Sequence, residues 1–573
     1  MHAATGSERG AKPDDGWHSC RRGLCAKANR AGCQPGSDLE AISRSRIVSP
    51  RIDCWMDQYS RFQSSRIYIP EMTIPETTSA TLRPQQSTRQ TSSFAGDVLK
   101  LVSGTAFAQI LGILAMPFLT RLYEPEAFGT LAIFTSITGI LGVIVCMRYE
   151  LAIMLPESDE EAANLLAVSL LFAVLIALLT IPLVWLGGTT LLGWLNAPQL
   201  GPYLWLVPPM VLLSGIFLAL NYWNTRTKHF GRLSIARVNQ AIAVISTQLG
   251  CGFAGLASSG AMIGATIGGQ ALATTVLGGQ IWRDDRKIFL RSINWAGMLY
   301  GIKRYRKFPL VDLWSSLLNT ISVQLPSLIL AAFFSPLTVG FYALSYRLLN
   351  IPMSLIGGSI AQVFFQRASV AKAEGNLNFV VQTTFQKLIT VATLPFLILG
   401  IIGPELFKVV FGLPWTEAGF YVQILAPWLF FVFLGSPIST LISVLEVQEV
   451  GFFFNVTLIT SRFISLLIGG VLQSVELALM LFSISGTVLW IWFIFYIAMK
   501  SGVGKRTTAD LTLRQLTIGI LFMLPLITSK WASNLSSLSL VSVAIVSSLF
   551  YYLFVVLRDE DLRKLIVPLI LKR

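Results

Sequence analysis

Apolar runs of about 18–25 residues recur along this chain from Leu99 onward, each long enough to cross the roughly 30 Å hydrocarbon core of a bilayer as a helix. Of the 573 residues, 53% are hydrophobic and 13% are charged; soluble domains carry about 25% charged residues. So much apolar surface cannot be buried inside soluble domains of this size. The pattern predicts an all-α, polytopic membrane protein with about fourteen transmembrane helices. We place the spans at 99–120, 126–147, 163–187, 203–223, 236–256, 259–281, 310–334, 338–362, 385–411, 419–445, 452–473, 475–499, 514–530 and 537–557.

The distribution of Lys and Arg predicts the orientation of these spans. With the N-terminus inside, the inner loops carry 20 basic residues, whereas the outer loops carry three, Arg121, Lys408 and Lys530. Basic residues concentrate in cytoplasmic loops of membrane proteins, so both termini are expected in the cytoplasm. The net charge of +14 therefore indicates a membrane topology rather than a nucleic-acid site.

The first 95 residues have a different composition from the rest. They are polar, lack an apolar run of span length, and hold four of the six cysteines in spacings that fit no zinc motif. We expect residues 1–95 to form a disordered polar tail. A further hypothesis is that the start at Met1 is over-extended and that translation begins at Met56 or Met72.

A short motif occurs twice, at a constant offset of 211 residues, as YEPEAFGTLAIF from Tyr123 and FSPLTVGFYALS from Phe334. Each copy lies in the turn between the first and second spans of a six-span set. Six is an even number, so the two sets would share one orientation as a parallel repeat. The identities pair Pro125 with Pro336, Gly129 with Gly340, and Ala132 with Ala343.

This repeat predicts the organisation of the chain. Residues 96–282 would form an N-terminal six-helix half, and residues 310–500 a C-terminal six-helix half. Residues 283–309 would form a basic cytoplasmic linker containing a surface helix attracted to anionic lipid. Residues 501–573 would add two helices and a basic cytoplasmic tail. Two helical halves with short loops are the architecture of a transporter that works by alternating access.

Signatures of an enzyme are scarce. His229 is the only histidine outside the tail, and the run SGVGKRTT lacks the first glycine of a phosphate-binding loop and has Arg506 in place of its Ser or Thr. No outer loop exceeds roughly 20 residues, which leaves little room for a polymerase active site. We therefore expect no enzymatic activity, no metal site and no cofactor.

Charged residues within the spans are the strongest functional candidates, because ionised groups at membrane depth are costly and usually face a cavity. Arg347 and Arg462 lie inside the eighth and eleventh spans and are predicted to line a substrate cavity, with a structural or snorkelling role as the alternative. Arg148 would lie near the inner entrance of that cavity, where an interfacial ion pair with Glu150 is equally consistent with the pattern. Asp312, at the inner end of the seventh span, is a candidate partner for a cavity arginine. Glu150 and Asp312 are the candidates for ion coupling.

Three segments resemble the polysaccharide transporter branch of the multidrug/oligosaccharidyl-lipid/polysaccharide exporter superfamily, the O-antigen-type flippases. They are GTAFAQILGILAMPFLTRLYEPEAFGTLAIF, RYELAIMLPESDEEAANLLAVS and FGLPWTEAGFYVQILAPWLF, and the similarity runs over about residues 95–500. The resemblance implies a transporter in a bacterial plasma membrane that moves oligosaccharide repeat units, linked to polyprenyl diphosphate, from the inner to the outer leaflet. Its implied partners are the lipid-linked oligosaccharide, the bilayer and the polysaccharide polymerase machinery, with no nucleic acid.

Other functions stay open at this point. A drug or cation antiporter of the same superfamily would favour acidic groups in its cavity, whereas the charge within these spans is chiefly arginine. A membrane polysaccharide polymerase or ligase would need a large outer loop. A scaffold without transport activity is the fourth alternative.

Overall fold

The computed structural model describes residues 94–532 and 535–558. The expectations for the tail at 1–93, for a start at Met56 or Met72, and for the basic tail at 559–573 lie outside the described residues. Within the described ranges the chain is helical and contains no β-strand. The predicted all-α, polytopic fold is confirmed.

Besides the one-turn helices Tyr149–Ala152 and Leu441–Val444, seven helices of ten residues or more cover the first part of the described chain and nine cover the rest. The first seven are α1 (Phe94–Leu122), α2 (Pro125–Ile144), α3 (Asp159–Trp194), α4 (Val207–Arg226, preceded by a 3-10 helix at Pro198–Leu206), α5 (Phe230–Phe253), α6 (Ser259–Ser292) and the short α7 (Trp295–Arg304). The other nine are α8 (Leu313–Phe333, preceded by a π turn at Phe308–Asp312), α9 (Pro336–Leu349), α10 (Gly358–Glu374), α11 (Leu377–Val410), α12 (Thr416–Ile438), α13 (Gln448–Val471), α14 (Val475–Lys500), α15 (Lys505–Ala532) and α16 (Ser537–Arg558).

Helical segments lie at all fourteen predicted span positions, and twelve of them are long and apolar enough to cross a membrane. The other two fall short for physical reasons. Helix α5 carries Arg232 and Arg237 together with Asn239, Gln240 and Gln248, which lowers its hydropathy. The eighth predicted span is divided into α9 and α10 by a π turn at Met353–Gly357, so that α9 has only 14 residues.

Side-chain caps define where several of these helices begin. Ser158 accepts a hydrogen bond from the backbone N–H of Glu161 at 3.2 Å, at the start of α3. Such a cap satisfies one of the backbone N–H groups that the first turn of a helix leaves without a partner. Four further helices are capped in the same way, by Ser258, Asn294, Ser335 and Ser474.

The two copies of the repeated motif contact each other where α2 crosses α9. A Cβ atom at Gly129 would collide with the carbonyl oxygen of Pro336, and one at Gly340 would collide with the carbonyl oxygen of Pro125. Each glycine thus lets one helix approach the backbone of the other. The contact is reciprocal, as a two-fold axis through the crossing would produce. We call this end of the bundle the turn end, and the opposite end, which carries the Lys- and Arg-rich loops, the basic end.

The last two helices form a separate layer. α15 and α16 pack on α11 through a small apolar core that includes Leu394, Met523 and Tyr551. A much larger core extends through the helices before them. Many large apolar side chains on the outside of the bundle are exposed, Leu179 and Trp185 of α3 among them, as expected where a helix faces lipid.

A candidate substrate cavity and its two closures

An interior cavity of about 810 Å³ lies between the two parts of the repeat. Helices α1 and α5 form one side of its wall, and α9 with the turn after it forms another. Its lining is mixed, with cationic, amide, hydroxyl and apolar groups. The residues that carry its polar groups are Thr105, Gln109, Arg237, Gln240, Gln248, Thr266, Tyr346, Arg347, Asn350 and Ser354.

Arg347 lies in this wall on α9. Its side chain is exposed although it lies inside the helix bundle, because it faces the cavity. One guanidinium nitrogen, Nη2, lies against Gly112 of α1, 3.4 Å from where a Cβ atom would be. Within the described residues no hydrogen bond or ion pair involves this guanidinium. Arg347 therefore presents an unpaired positive charge to the cavity.

Arg237 on α5 is a second cation in the wall, and we did not predict it. Its Nε atom is buried and has no hydrogen-bond partner among the described residues. It lies near the basic end of its helix, at the boundary between loop and span. One signal was available: Arg237, Gln240 and Gln248 are spaced so that they share one face of a helix.

Amide groups occupy the wall beside these cations. Gln240 Nε2 donates a hydrogen bond to Gln270 Oε1 at 2.6 Å, which fixes α5 against α6. Of the residues described as lining the cavity, none is Asp or Glu. The cavity thus combines positive charge with groups that can bind hydroxyls.

Arg462 on α13 lies outside this cavity wall, in contrast to our expectation. Its guanidinium carbon lies 5.5 Å from the ring centre of Trp428 and 5.8 Å from that of Phe482. Its Nη1 atom donates to the Ser322 hydroxyl at 3.1 Å. Aromatic faces attract the cation and hold it among α8, α12, α13 and α14. Trp428 also stacks on Tyr346 of the cavity wall, at 6.2 Å between ring centres. A substrate role for Arg462 stays a prediction.

Arg148 also lies outside the described cavity wall. Its Nε atom donates to Asp312 Oδ2 at 2.7 Å, and its Nη1 atom lies 3.3 Å from Glu150 Oε1. Met147 and Arg148 both have positive φ, 50° and 65°, and this left-handed turn ends the α2 segment and starts the short helix Tyr149–Ala152. The structure thus pairs Asp312 with Arg148 rather than with a cavity arginine.

The Arg148–Asp312 ion pair connects the turn after α2 to the π turn before α8 at the basic end, and Glu150 is buried beside it. Glu150 Oε2 has no hydrogen-bond partner among the described residues. Glu150 lies in the turn between α2 and α3, outside the membrane helices. Burial raises the pKa of its carboxyl from 4.5 to about 7, against the lowering effects of a backbone hydrogen bond and of Arg148. We call these three residues the basic-end cluster.

The turn end is closed by the crossing of two helix backbones and by side chains that donate to backbone carbonyl groups. Besides the α2–α9 crossing, the Trp415 indole N–H donates to the carbonyl oxygen of Thr120 at 2.8 Å. Asn196 Nδ2 donates to the carbonyl oxygen of Phe334 at 2.7 Å. These bonds connect the first part of the chain to the second.

No group of three or more His, Cys, Asp or Glu side chains that could hold a metal ion occurs within residues 94–532 and 535–558.

Comparison with known proteins agrees with this architecture. The model of a family described as "Polysaccharide biosynthesis protein" matches residues 118–419, more than half of the chain. The chain belongs to this family. The resemblance predicted from the sequence is thereby confirmed. No curated protein gives a significant match.

Two solved structures show the same fold. One is the lipid II flippase MurJ in an inward closed conformation, with a TM-score of 0.63 at 13% identity, covering 82% of this chain and 100% of that chain. The other is an inward-facing multidrug resistance MATE family transporter of the MOP superfamily, with a TM-score of 0.56 at 14% identity, covering 69% of this chain and 94% of that one. At such low identity these likenesses concern the fold alone.

Proposed function

We propose that this protein flips polyprenyl-diphosphate-linked oligosaccharide repeat units from the inner to the outer leaflet of a bacterial plasma membrane, for surface polysaccharide biosynthesis. The observation that carries the proposal is the cavity wall, where Arg347 and Arg237 are unpaired and none of the described lining residues is acidic. Membership of a polysaccharide biosynthesis family supports a saccharide cargo. The structure of the lipid II flippase MurJ supports the proposal by its fold.

The charges of the cavity suit such a cargo. An unpaired guanidinium at membrane depth is costly, and an anionic ligand relieves that cost while it is bound. Arginine forms paired hydrogen bonds with phosphate oxygens. A diphosphate supplies negative charge for both arginines, and the amides of Gln109, Gln240 and Asn350 can bind sugar hydroxyls. This lining favours the flippase over a cation antiporter, which would need a carboxylate in the cavity.

The contacts that close the turn end and the basic end of the bundle support a mechanism of alternating access. We propose that the basic end faces the cytoplasm, in agreement with the positive-inside rule. The cargo would then enter when the basic-end cluster separates, and leave when the α2–α9 crossing at the turn end opens. Association with polymerase machinery and a role in O-antigen synthesis belong to the same proposal.

The test is an arginine exchange in the native host. A strain lacking the gene is complemented with wild type, Arg347→Ala, Arg347→Lys or Arg237→Ala. Arg283→Ala is the matched control, because Arg283 is 80% exposed and lies outside the cavity wall.

We expect Arg347→Ala to lower surface polysaccharide at least about tenfold at normal protein level, since one charge-assisted contact contributes about 1.5–3 kcal/mol. Arg237→Ala should have a smaller effect, and Arg347→Lys should restore part of the activity. Lipid-linked repeat units should accumulate. Normal surface polysaccharide in Arg347→Ala would contradict the assignment of the cavity. Repeat units that reach the outer leaflet but stay unpolymerised would favour the polymerase alternative.

A further inference from the structure

A second pocket, of about 350 Å³, lies between α11, α15 and α16. None of these three helices contributes to the described wall of the substrate cavity. Its volume lies within the range of about 300–1,000 Å³ that small-molecule sites occupy. The lining residues are Gln386, Ile389, Thr390, Leu511, Arg514, Gln515, Ile518, Phe554, Val555 and Arg558.

The polar part of this pocket lies at the depth of lipid headgroups. Helix α15 has 28 residues and is therefore about 42 Å long, which exceeds the roughly 30 Å hydrocarbon core. Arg514 is the tenth residue from its basic end, so it lies near the boundary of the hydrocarbon. Arg558 ends α16 at the same side. Gln386 is likewise the tenth residue of α11.

Both arginines are available to a ligand. Neither forms an ion pair within the described residues, and none of the described lining residues is acidic. The guanidinium carbon of Arg558 lies 5.8 Å from the ring centre of Phe554, another lining residue, so the charge stays at the pocket. The two cations come from different helices and meet at one cavity.

Hydrogen bonds hold the pocket in shape without a ligand. Gln515 Nε2 donates to the Tyr551 hydroxyl at 3.1 Å, and that hydroxyl donates to the carbonyl oxygen of Thr390 at 2.8 Å. Tyr551 is fully buried, so these bonds join α15, α16 and α11 in the interior. Ile389, Ile518 and Val555 supply apolar wall. The pocket thus presents positive charge beside an apolar wall.

We propose that this pocket binds the phosphate of an anionic phospholipid from the leaflet at the basic end. Basic pockets between membrane helices on the cytoplasmic side are suited to anionic headgroups. Guanidinium groups pair with phosphate oxygens, and the apolar wall suits the first methylenes of the acyl chains. A phospholipid is favoured over the transported substrate because the pocket is separate from the substrate cavity. This lipid site is distinct from the proposed flippase activity and does not depend on it.

The test measures lipid retained by the purified full-length protein. Wild type, the double variant Arg514→Gln/Arg558→Gln and the control Lys505→Gln/Arg506→Gln are reconstituted in nanodiscs of phosphatidylcholine or of an equimolar mixture with phosphatidylglycerol. The control removes the same charge from the first turn of α15, outside the pocket lining. Phosphatidylglycerol retained after extraction is counted by native mass spectrometry, and thermal unfolding is followed in both lipids.

We expect wild type and the control to retain phosphatidylglycerol and to unfold at a higher temperature in the mixed lipid. The double variant should retain at least tenfold less and should lose the thermal shift, since it loses two charge-assisted contacts. Equal retention by all three proteins would overturn the proposal. Displacement of the lipid by inorganic phosphate alone would assign the site to free anions instead, and preferential retention of polyprenyl phosphate would assign it to the substrate.

If the double variant does not fold, the single variants Arg514→Gln and Arg558→Gln replace it, and each should retain less phosphatidylglycerol than the control; equal retention would overturn the proposal. Surface polysaccharide in the Arg347→Ala strain is a separate readout, so the lipid site and the flippase can fail independently.

Discussion

The two parts of the repeat touch at both ends of the bundle, through different kinds of contact. At the turn end, Gly129 and Gly340 bring α2 and α9 together backbone against backbone. At the basic end, the side chains of Arg148 and Asp312 join the turn after α2 to the π turn before α8. Two helix backbones in direct contact cannot move apart gradually, because packed helices tolerate little displacement before their contacts are lost. Side chains can separate while water takes over their hydrogen bonds.

This difference indicates which closure opens more easily. Arg148 is 20% exposed and Asp312 42% exposed, and pairs with that access to water contribute about 0–1 kcal/mol. At the turn end, the helices cross so closely that there is no room for water or for a side chain at Gly129 or Gly340. We therefore expect the basic end to open first and at lower free-energy cost.

The largest effect is expected at the glycine crossing. Gly129→Ala would place a Cβ atom against the Pro336 carbonyl oxygen, so we expect a loss of about 3 kcal/mol or more in the free energy of unfolding. Gly142→Ala on the same helix is the control, because no atom lies within 4 Å of its Cβ position. A helical Gly→Ala exchange there should be neutral or stabilising. Thermal unfolding of the two proteins in detergent compares them directly, and equal stability would mean that the crossing is not tightly packed.

A smaller effect is expected from the Arg148–Asp312 pair. Arg148→Gln and Asp312→Asn should each increase the labelling of a cysteine at Asn350 by a water-soluble maleimide, about fivefold for a pair that contributes about 1 kcal/mol. The native cysteines are replaced in the protein used for this experiment, so that only the introduced cysteine reacts. The double variant should label no faster than Arg148→Gln alone, because that exchange already removes the contact with Asp312. Arg283→Gln is the control, because the Arg283 side chain is 80% exposed. Additive effects would show that the two residues act separately.

The smallest effect is the pH dependence of this closure. Burial gives Glu150 a pKa of about 7 in the closed state, whereas a hydrated carboxyl titrates near 4.5. Between pH 4.5 and 7 the closed state therefore binds one more proton than the open state. The free-energy cost of opening falls as the pH rises through this range and does not change further above it. Between pH 6.5 and 7.5, labelling at Asn350→Cys should rise about threefold in protein with Glu150, relative to Glu150→Gln. Parallel pH profiles for the two proteins would exclude this role.

The sequence allowed a prediction of the fold because the bilayer restricts the possible solutions. Apolar runs give the helices directly, and Pro125 with Gly129 has a counterpart 211 residues later. That the two glycines touch each other was beyond prediction, since a one-dimensional repeat does not show where its copies meet. The division into two six-helix halves stays a prediction, which this reciprocal contact supports.

The candidate site was predicted less completely. Arg347 was selected for its depth in a span, and the structure places it in the cavity wall. Depth alone could not separate it from Arg462, whose partners Trp428 and Ser322 come from other helices. Arg237 was missed because it lies near the boundary between loop and span. The left-handed turn at Met147 and Arg148 directs the Arg148 side chain toward Asp312. Neither Met nor Arg is a residue type that predicts such a turn.

The most direct test of the flippase is the location of lipid-linked repeat units in the native host. The gene is deleted, and the units on each leaflet are quantified together with surface polysaccharide, with wild type and the double variant Arg347→Ala/Arg237→Ala supplied in turn. We predict that intact units stay on the inner leaflet in the deletion strain and with the variant, and that wild type moves them outward. Units that reach the outer leaflet normally when the protein is absent would contradict the account.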